Sequence, residues 1–226
     1  MTVFDDAAEQ FTRATDRAIA TNGYLRGQLI LGLVKANTAA GGTVLDYGCG
    51  PGRLAQLIAR EGYSVRAGDP SEPMIAQATR LDCKGLDLMF ETMGEDYAIQ
   101  PNSCDAIVCS SVIEYVPDPA AVLQSFLVAL RRPGVLVISY ANKSSLWRRY
   151  WERKAKVHPM YDPNNQTWDW PAFKGLLAEH DFVPTAGPLF TESPCDRYRL
   201  AGSLMRRSSL AGTIGILAAR PTGGPR

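Results

Sequence analysis

The chain has 226 residues, a length that suits one large domain, and its 46% hydrophobic and 21% charged content is that of an ordinary globular protein. A net charge of +1 argues against a globally polybasic nucleic-acid or membrane-surface binder, although residues 147–226 hold 12 Lys/Arg against 7 Asp/Glu while residues 1–146 hold 12 against 16. Five cysteines without a Cys-x-x-Cys pair speak against a disulfide framework or a zinc site, so no metal is expected.

The start Met1–Asp6 is acidic and has no apolar signal region, and no stretch approaches about 18 apolar residues, so a cytoplasmic protein without stable membrane insertion is expected. Phe4, Ala7, Ala8, Phe11 and Ala14 repeat at helical spacing, and after Asn22-Gly23 a second stripe runs through Leu25, Leu29, Leu33 and Ala36. Gly41-Gly42 ends that region, and Thr43–Asp46 reads as a short buried strand running into a glycine turn. A helix is predicted from Arg53 to Glu61 and a strand from Ser64 to Asp69. Ser71-Glu72-Pro73 then opens the next helix with a capping residue and a first-turn proline. Further strands are expected at Leu86–Glu91, Ala106–Ser110 and Gly134–Tyr140, with a helix at Ala120–Leu130 before the last of these. Residues 141–170 look irregular and aromatic-rich; a helix at Pro171–His180 and strands at Phe182–Phe190 and Thr213–Ala219 complete the pattern, with a helix around Arg197–Arg207 between the two strands.

Near-continuous apolar strands alternating with helices imply a parallel sheet covered on both faces, hence a doubly wound α/β fold. Such sheets bind ligands outside the carboxyl ends of their strands. Asp46, Asp69 and Ser110 all fall at predicted carboxyl ends. The chain divides into an N-terminal helical cap (1–40), a ligand-binding core (41–140) and a C-terminal part (141–220) of a single domain, 1–226.

The loop Asp46-Tyr47-Gly48-Cys49-Gly50-Pro51-Gly52 directly follows the first strand. Glycines there permit positive φ and a close ligand approach, and the helix it opens offers unpaired N–H groups to an anion. The spacing is Gly-x-Gly-x-Gly, and Arg53 stands where a dinucleotide fingerprint needs its third glycine; the Lys-Ser/Thr ending of a phosphate loop is also missing. Asp69, at the end of the second strand, suits the two hydroxyls of a ribose, so an adenosine-type cofactor is expected.

With Val44–Gly52, Gly68-Asp69-Pro70-Ser71-Glu72-Pro73-Met74-Ile75, Cys104–Val108 and Arg132–Leu136, the sequence resembles the class I S-adenosylmethionine-dependent methyltransferases over about residues 40–140. The resemblance implies a Rossmann-like sheet of seven strands, the last antiparallel, and S-adenosyl-L-methionine as cofactor with S-adenosyl-L-homocysteine as product. It implies that Asp46 and the loop residues Gly48, Cys49 and Gly50 hold the methionine end, and that Asp69 holds the ribose. Pro70 and Met74 would then flank the adenine, Met93, Gly94 or Glu95 its edge, and Ser110 the sulfonium. Many small-molecule members read Glu-His before a Val-Pro-Asp-Pro turn; here the residues are Glu114-Tyr115-Val116-Pro117-Asp118-Pro119. No Asn-Pro-Pro-Tyr motif follows the fourth strand, which points away from a nucleic-acid amino group as acceptor.

Methyl transfer chiefly requires alignment, which supplies roughly 7–11 kcal/mol; a general base adds about 10²–10⁴-fold where the acceptor must lose a proton. Glu114, Tyr115 and His158 are the candidate catalytic groups, while His180 reads as a helix C-terminal cap. The aromatics Trp147, Tyr150, Trp151, Tyr161, Trp168 and Trp170 suggest an aromatic or partly hydrophobic small-molecule acceptor with an O or N nucleophile. The stretch Trp147–Lys156, with five positive charges and one negative, reads as a solvated lid helix, a rim for an acidic acceptor, a membrane-surface contact or a nucleic-acid contact. A non-methylating cyclisation or rearrangement on the same cofactor, or a non-catalytic binding subunit, remain the other readings; a monomer or homodimer is expected.

Overall fold

The computed structural model describes residues 5, 8–22, 24–94, 97–154, 164–192 and 206–223. Five runs of apolar residues become the parallel strands β1 (Thr43–Tyr47), β2 (Ser64–Asp69), β3 (Leu88–Thr92), β4 (Cys104–Cys109) and β5 (Leu130–Ala141). They lie in the order β3-β2-β1-β4-β5, followed by β8 (Ile214–Pro221), which is antiparallel to β5. The expected doubly wound fold with an antiparallel last strand is therefore what the chain forms.

The sheet has eight strands rather than seven. The segment expected as one strand from Phe182 to Phe190 is two, β6 (Phe182–Pro184) and β7 (Leu189–Thr191), both antiparallel along β8. The register slips by two residues between them, because Gly187-Pro188 cannot continue a paired strand: proline lacks the N–H donor.

Alternate residues of each central strand go to opposite faces, as the pleat requires. Val44, Val108, Val135 and Val137 pack under α2 (Leu25–Asn37) and α3 (Arg53–Ala59), against Ile30, Leu31, Val34, Leu54 and Ile58. Leu45, Ile107, Leu136 and Ile138 face α5 (Pro119–Ala129) and α7 (Trp170–Glu179), against Leu123, Phe126, Phe173 and Leu177. At roughly 1.5–3 kcal/mol per fully buried large apolar side chain, these two layers hold the sheet rigid beneath its carboxyl edge.

Three helices begin at side-chain caps followed by proline. Ser71 Oγ accepts Met74 N–H to open α4 (Glu72–Ala78), Asp118 accepts Ala121 N–H to open α5, and Asp169 accepts Ala172 N–H to open α7. Each such cap contributes typically about 1 kcal/mol. His180 is the C-cap residue of α7. The region 141–170, expected to be irregular apart from a solvated lid helix at Trp147–Lys156, contains α6 (Leu146–Lys154); the helix is not wholly solvated, since its Arg148 is buried at 1% exposure, an inversion of the usual polar-out rule. α1 (Ala8–Asn22) packs on α4. The helix expected around Arg197–Arg207 lies almost wholly outside the described residues.

Candidate active site

Because β2, β1 and β4 are neighbours, their carboxyl ends bring Asp69, Asp46 and Ser110 to one edge of the sheet. A cavity of about 680 Å³ opens there, a size that suits a small-molecule ligand.

The glycine loop forms its floor. Gly48 and Cys49 N–H both donate to Gly68 O, at 2.8 and 2.9 Å, and Gly50 N–H donates to Asp69 Oδ2 at 2.8 Å. The loop is thereby stitched to β2 rather than left to its own turn. Gly48 and Gly52 both have φ of 75° and are closely packed: a methyl group on Gly48 would collide with Val112, and one on Gly52 would lie 2.6 Å from Phe90 and 2.8 Å from Ala78. Gly50, with φ of 53°, has nothing in front of it, so its backbone is bare for a ligand.

Two buried carboxylates stand over this floor. Asp46 is 1% exposed. Ala55 N–H, in the first turn of α3, donates to it, while its Oδ2 has no hydrogen-bond partner among the described residues. Burial, helped by the Asp69 charge and opposed by that N–H, pushes its carboxyl up to about 7. Glu114, in the loop after β4, is 3% exposed, and both its oxygens lack a partner among the described residues. Burial lifts it to about 7 as well, against its own backbone N–H and the charges of Arg148 and Arg26. Asp69 differs: Oδ1 accepts Ser71 N–H at 2.9 Å and Oδ2 accepts Gly50 N–H. Its pKa is raised by burial, with those two N–H groups pulling the other way.

Of the residues singled out in the sequence, Asp46, Gly48, Cys49, Gly50, Asp69, Pro70, Met74, Ser110, Glu114 and Tyr115 line this one cavity. Met93 is instead packed against Gly68, behind the end of β2, with Gly94 next to it outside the cavity wall. Glu95 and His158 lie outside the described residues.

Sequence reading missed the contribution of distant segments. Arg26 of α2 lines the cavity; its Nη1 donates to Ser111 Oγ at 2.7 Å and its Nε lies 3.8 Å from Glu192. Burial works against its charge, and Glu192, Tyr24 and Glu114 outweigh burial, so it is held more firmly protonated than usual. Ser111 adopts φ of 55° and is fixed by a 2.7 Å bond from its N–H to Ser139 Oγ of β5. Asn164, Asn165 and Gln166 close the far wall; Gln166 is tied to Glu114 O and Val116 O. No local signal marks these residues, since their partners lie 28 to 85 positions away in sequence.

Of the aromatics on which the acceptor expectation rests, Tyr161 lies outside the described residues. Trp168 packs on Phe173 in the core, and Trp147, Tyr150 and Trp151 stack among themselves on α6. Among the described residues the aromatic walls of the cavity are Phe11, Tyr24 and Tyr115.

A doubly wound sheet with a glycine loop after β1 and a carboxylate ending β2 defines a nucleoside-cofactor protein. A methyltransferase-domain family model matches residues 19–186, and the chain belongs to the S-adenosylmethionine-dependent class I methyltransferases. It is 35% identical over 117 residues to the ubiquinone biosynthesis O-methyltransferase of Actinobacillus pleuropneumoniae serotype 5b, covering 49% of this chain and 50% of that protein. The chain thus spans about half the length of the curated relatives it matches. Among solved structures, the S-adenosylhomocysteine-bound magnesium protoporphyrin IX methyltransferase of Synechocystis PCC 6803 superposes with a TM-score of 0.71 at 18% identity, over 97% of this chain and 96% of that one. A Haloferax volcanii methyltransferase from a complex with the Trm112 activator does so with a TM-score of 0.70 at 18% identity, over 99% and 97%. Among the described residues no helix is long and apolar enough to cross a membrane.

Proposed function

We propose that the protein transfers the methyl group of S-adenosylmethionine to an oxygen nucleophile of a small, partly hydrophobic molecule. The observation that carries this reading is the convergence of Arg26, Asp46 and Asp69 on one cavity around the bare Gly50 backbone. Each polar part of the cofactor finds a complementary group there. Arg26, whose Nε has no hydrogen-bond partner among the described residues and whose nearest carboxylate among them is 3.8 Å away, suits its carboxylate better than the other cavity cation, Arg53, which is bound to Asp16 at 2.7 Å. The unpartnered Asp46 Oδ2 suits its ammonium. Each Asp69 oxygen has accepted one N–H and keeps a lone pair for a ribose hydroxyl. Pro70 and Met74 are assigned to the adenine faces and Ser110 to the sulfur.

When bound, the cofactor supplies an electrophilic methyl carbon, so the chain's own residues need to orient an acceptor, exclude water and take up a proton. Glu114 and Tyr115, on the wall after β4, are assigned to the acceptor. The choice of oxygen over nitrogen rests on the relatives named O-methyltransferases.

Isothermal titration with S-adenosylhomocysteine, followed by labelled methyl transfer to a panel of phenols, carboxylic acids and amines, tests the reading. Binding together with product formation on hydroxyl acceptors is expected. Turnover on amines alone would overturn the oxygen assignment, and no binding would overturn the whole reading.

A further inference from the structure

The cavity holds more buried negative charge than cofactor binding needs. Asp46 and Glu114 sit on its wall at 1% and 3% exposure, with three carboxylate oxygens among them that have no hydrogen-bond partner among the described residues. Asp46 stands near the end of β1 and Glu114 in the loop after the adjacent β4, and the Cys109 thiol that ends β4 feels both charges. Leaving buried carboxylate oxygens ionised and unpaired is costly, so each group either keeps its proton or meets a cation.

Arg26 does not cancel them. It is shared with Ser111 and Glu192, and Arg148 on the α6 side donates to Glu152 at 2.7 Å. The groups facing Glu114 are therefore Arg26 of α2, Arg148 of α6 and Cys109 of β4; those facing Asp46 are Asp69 of β2, Cys49 of the loop, Tyr24 of α2 and the Ala55 N–H of α3.

We propose that Glu114 is both the sensor of the donor's sulfonium charge and the acceptor of the proton released in transfer, while Asp46 answers the ammonium that donor and product share. This rests on the cofactor assignment above. Bound S-adenosylmethionine brings two positive charges into the cavity, so both carboxylates ionise and Glu114 becomes a base. In the transfer the bond between acceptor oxygen and methyl carbon forms as the carbon–sulfur bond breaks, and that bond's electron pair stays on sulfur. The acceptor's O–H pair remains on oxygen, and its proton passes to Glu114. The sulfur is then neutral, so a protonated Glu114 no longer faces a cation, and the product is held less tightly than the donor. That both carboxyls titrate near neutrality in the cavity, as burial dictates, makes the exchange of charge cheap in either direction.

The test counts protons. Isothermal titration of the full chain in buffers of different ionisation enthalpy, at about pH 6, compares S-adenosylmethionine, S-adenosylhomocysteine and sinefungin, which carries an ammonium where the sulfonium stands. About one more proton is expected to be released by the two cationic ligands than by S-adenosylhomocysteine. The affinity ratio of donor to product should rise up to about tenfold per pH unit and level off above about pH 7. Glu114→Gln should abolish the excess, Asp46→Asn should leave it intact, and Glu114→Asp, which keeps a titrating group, should retain it with a shifted midpoint. Equal proton counts for all three ligands in the wild type, or an excess that survives Glu114→Gln, would overturn the proposal while leaving the cofactor site standing. Failure of every ligand to bind would overturn both.

Discussion

Each oxygen of the Asp69 carboxylate accepts one backbone N–H, from Ser71 and from Gly50, so a residue assigned to the ribose also shapes the glycine loop. Asp69→Ala therefore removes a hydrogen-bonding charge and the brace on Gly50 together. Since hydrogen bonds to charged groups contribute about 1.5–3 kcal/mol, S-adenosylhomocysteine is expected to bind roughly 10- to 100-fold more weakly by titration calorimetry. An unchanged dissociation constant would remove Asp69 from the site. Asp46, Asp69 and the loop were legible in the sequence, because a strand, a glycine turn and a carboxylate at a strand end are local features. Arg26 was not legible: an arginine near the start of a helix carries no mark of the Ser111 hydroxyl that receives it 85 residues later.

At the scale of elements, the turn between β1 and α3 is set by packing as much as by backbone freedom. Gly52→Ala places a methyl against Phe90 and Ala78 at positive φ. Left-handed strain of about 1–2 kcal/mol adds to overpacking of about 1–3 kcal/mol, so urea unfolding should show a loss of about 2–5 kcal/mol. Gly62→Ala, also at positive φ but facing open space, should lose only the strain. A comparable loss in both variants would show that Phe90 yields freely. β1, β4 and β5 were legible because each is largely a run of apolar residues buried on both faces, whereas β3, at the sheet edge, has no fully buried residue. The division into β6 and β7 was not legible, because it depends on where Gly187-Pro188 meets β8. The lid helix read at Trp147–Lys156 is α6, but its burial of Arg148, through ionic contacts including Glu152, is something hydrophobic periodicity does not register.

For the molecule as a whole, the two buried carboxyls Asp46 and Glu114 make stability depend on pH. Asp46 and Glu114 keep their protons in the folded protein at pH values where the unfolded chain has lost them. The folded state thus binds more protons between about pH 4 and 7, and stability falls as pH rises through that window. Each carboxyl changes stability by on the order of 3 kcal/mol across that window, at no more than about 1.4 kcal/mol per pH unit, and burial shifts Asp69 in the same sense. Urea midpoints measured from about pH 5 to 8 should fall for the wild type and stay flatter for the Asp46→Asn, Glu114→Gln double variant; parallel curves would contradict the buried charge. S-adenosylmethionine should restore stability most at the upper end of that range. By itself the sequence determined the fold class, the strand order's cofactor edge and the donor, because those follow from periodicity and from motifs within a few residues of one another. Only the tertiary structure brings Arg26, Ser111 and Asn164–Gln166 to the cavity and buries Glu114 there, through neighbours contributed by other elements of the fold. Burial, which sets the charge of Glu114, is a property of the packed molecule and not of any stretch of chain.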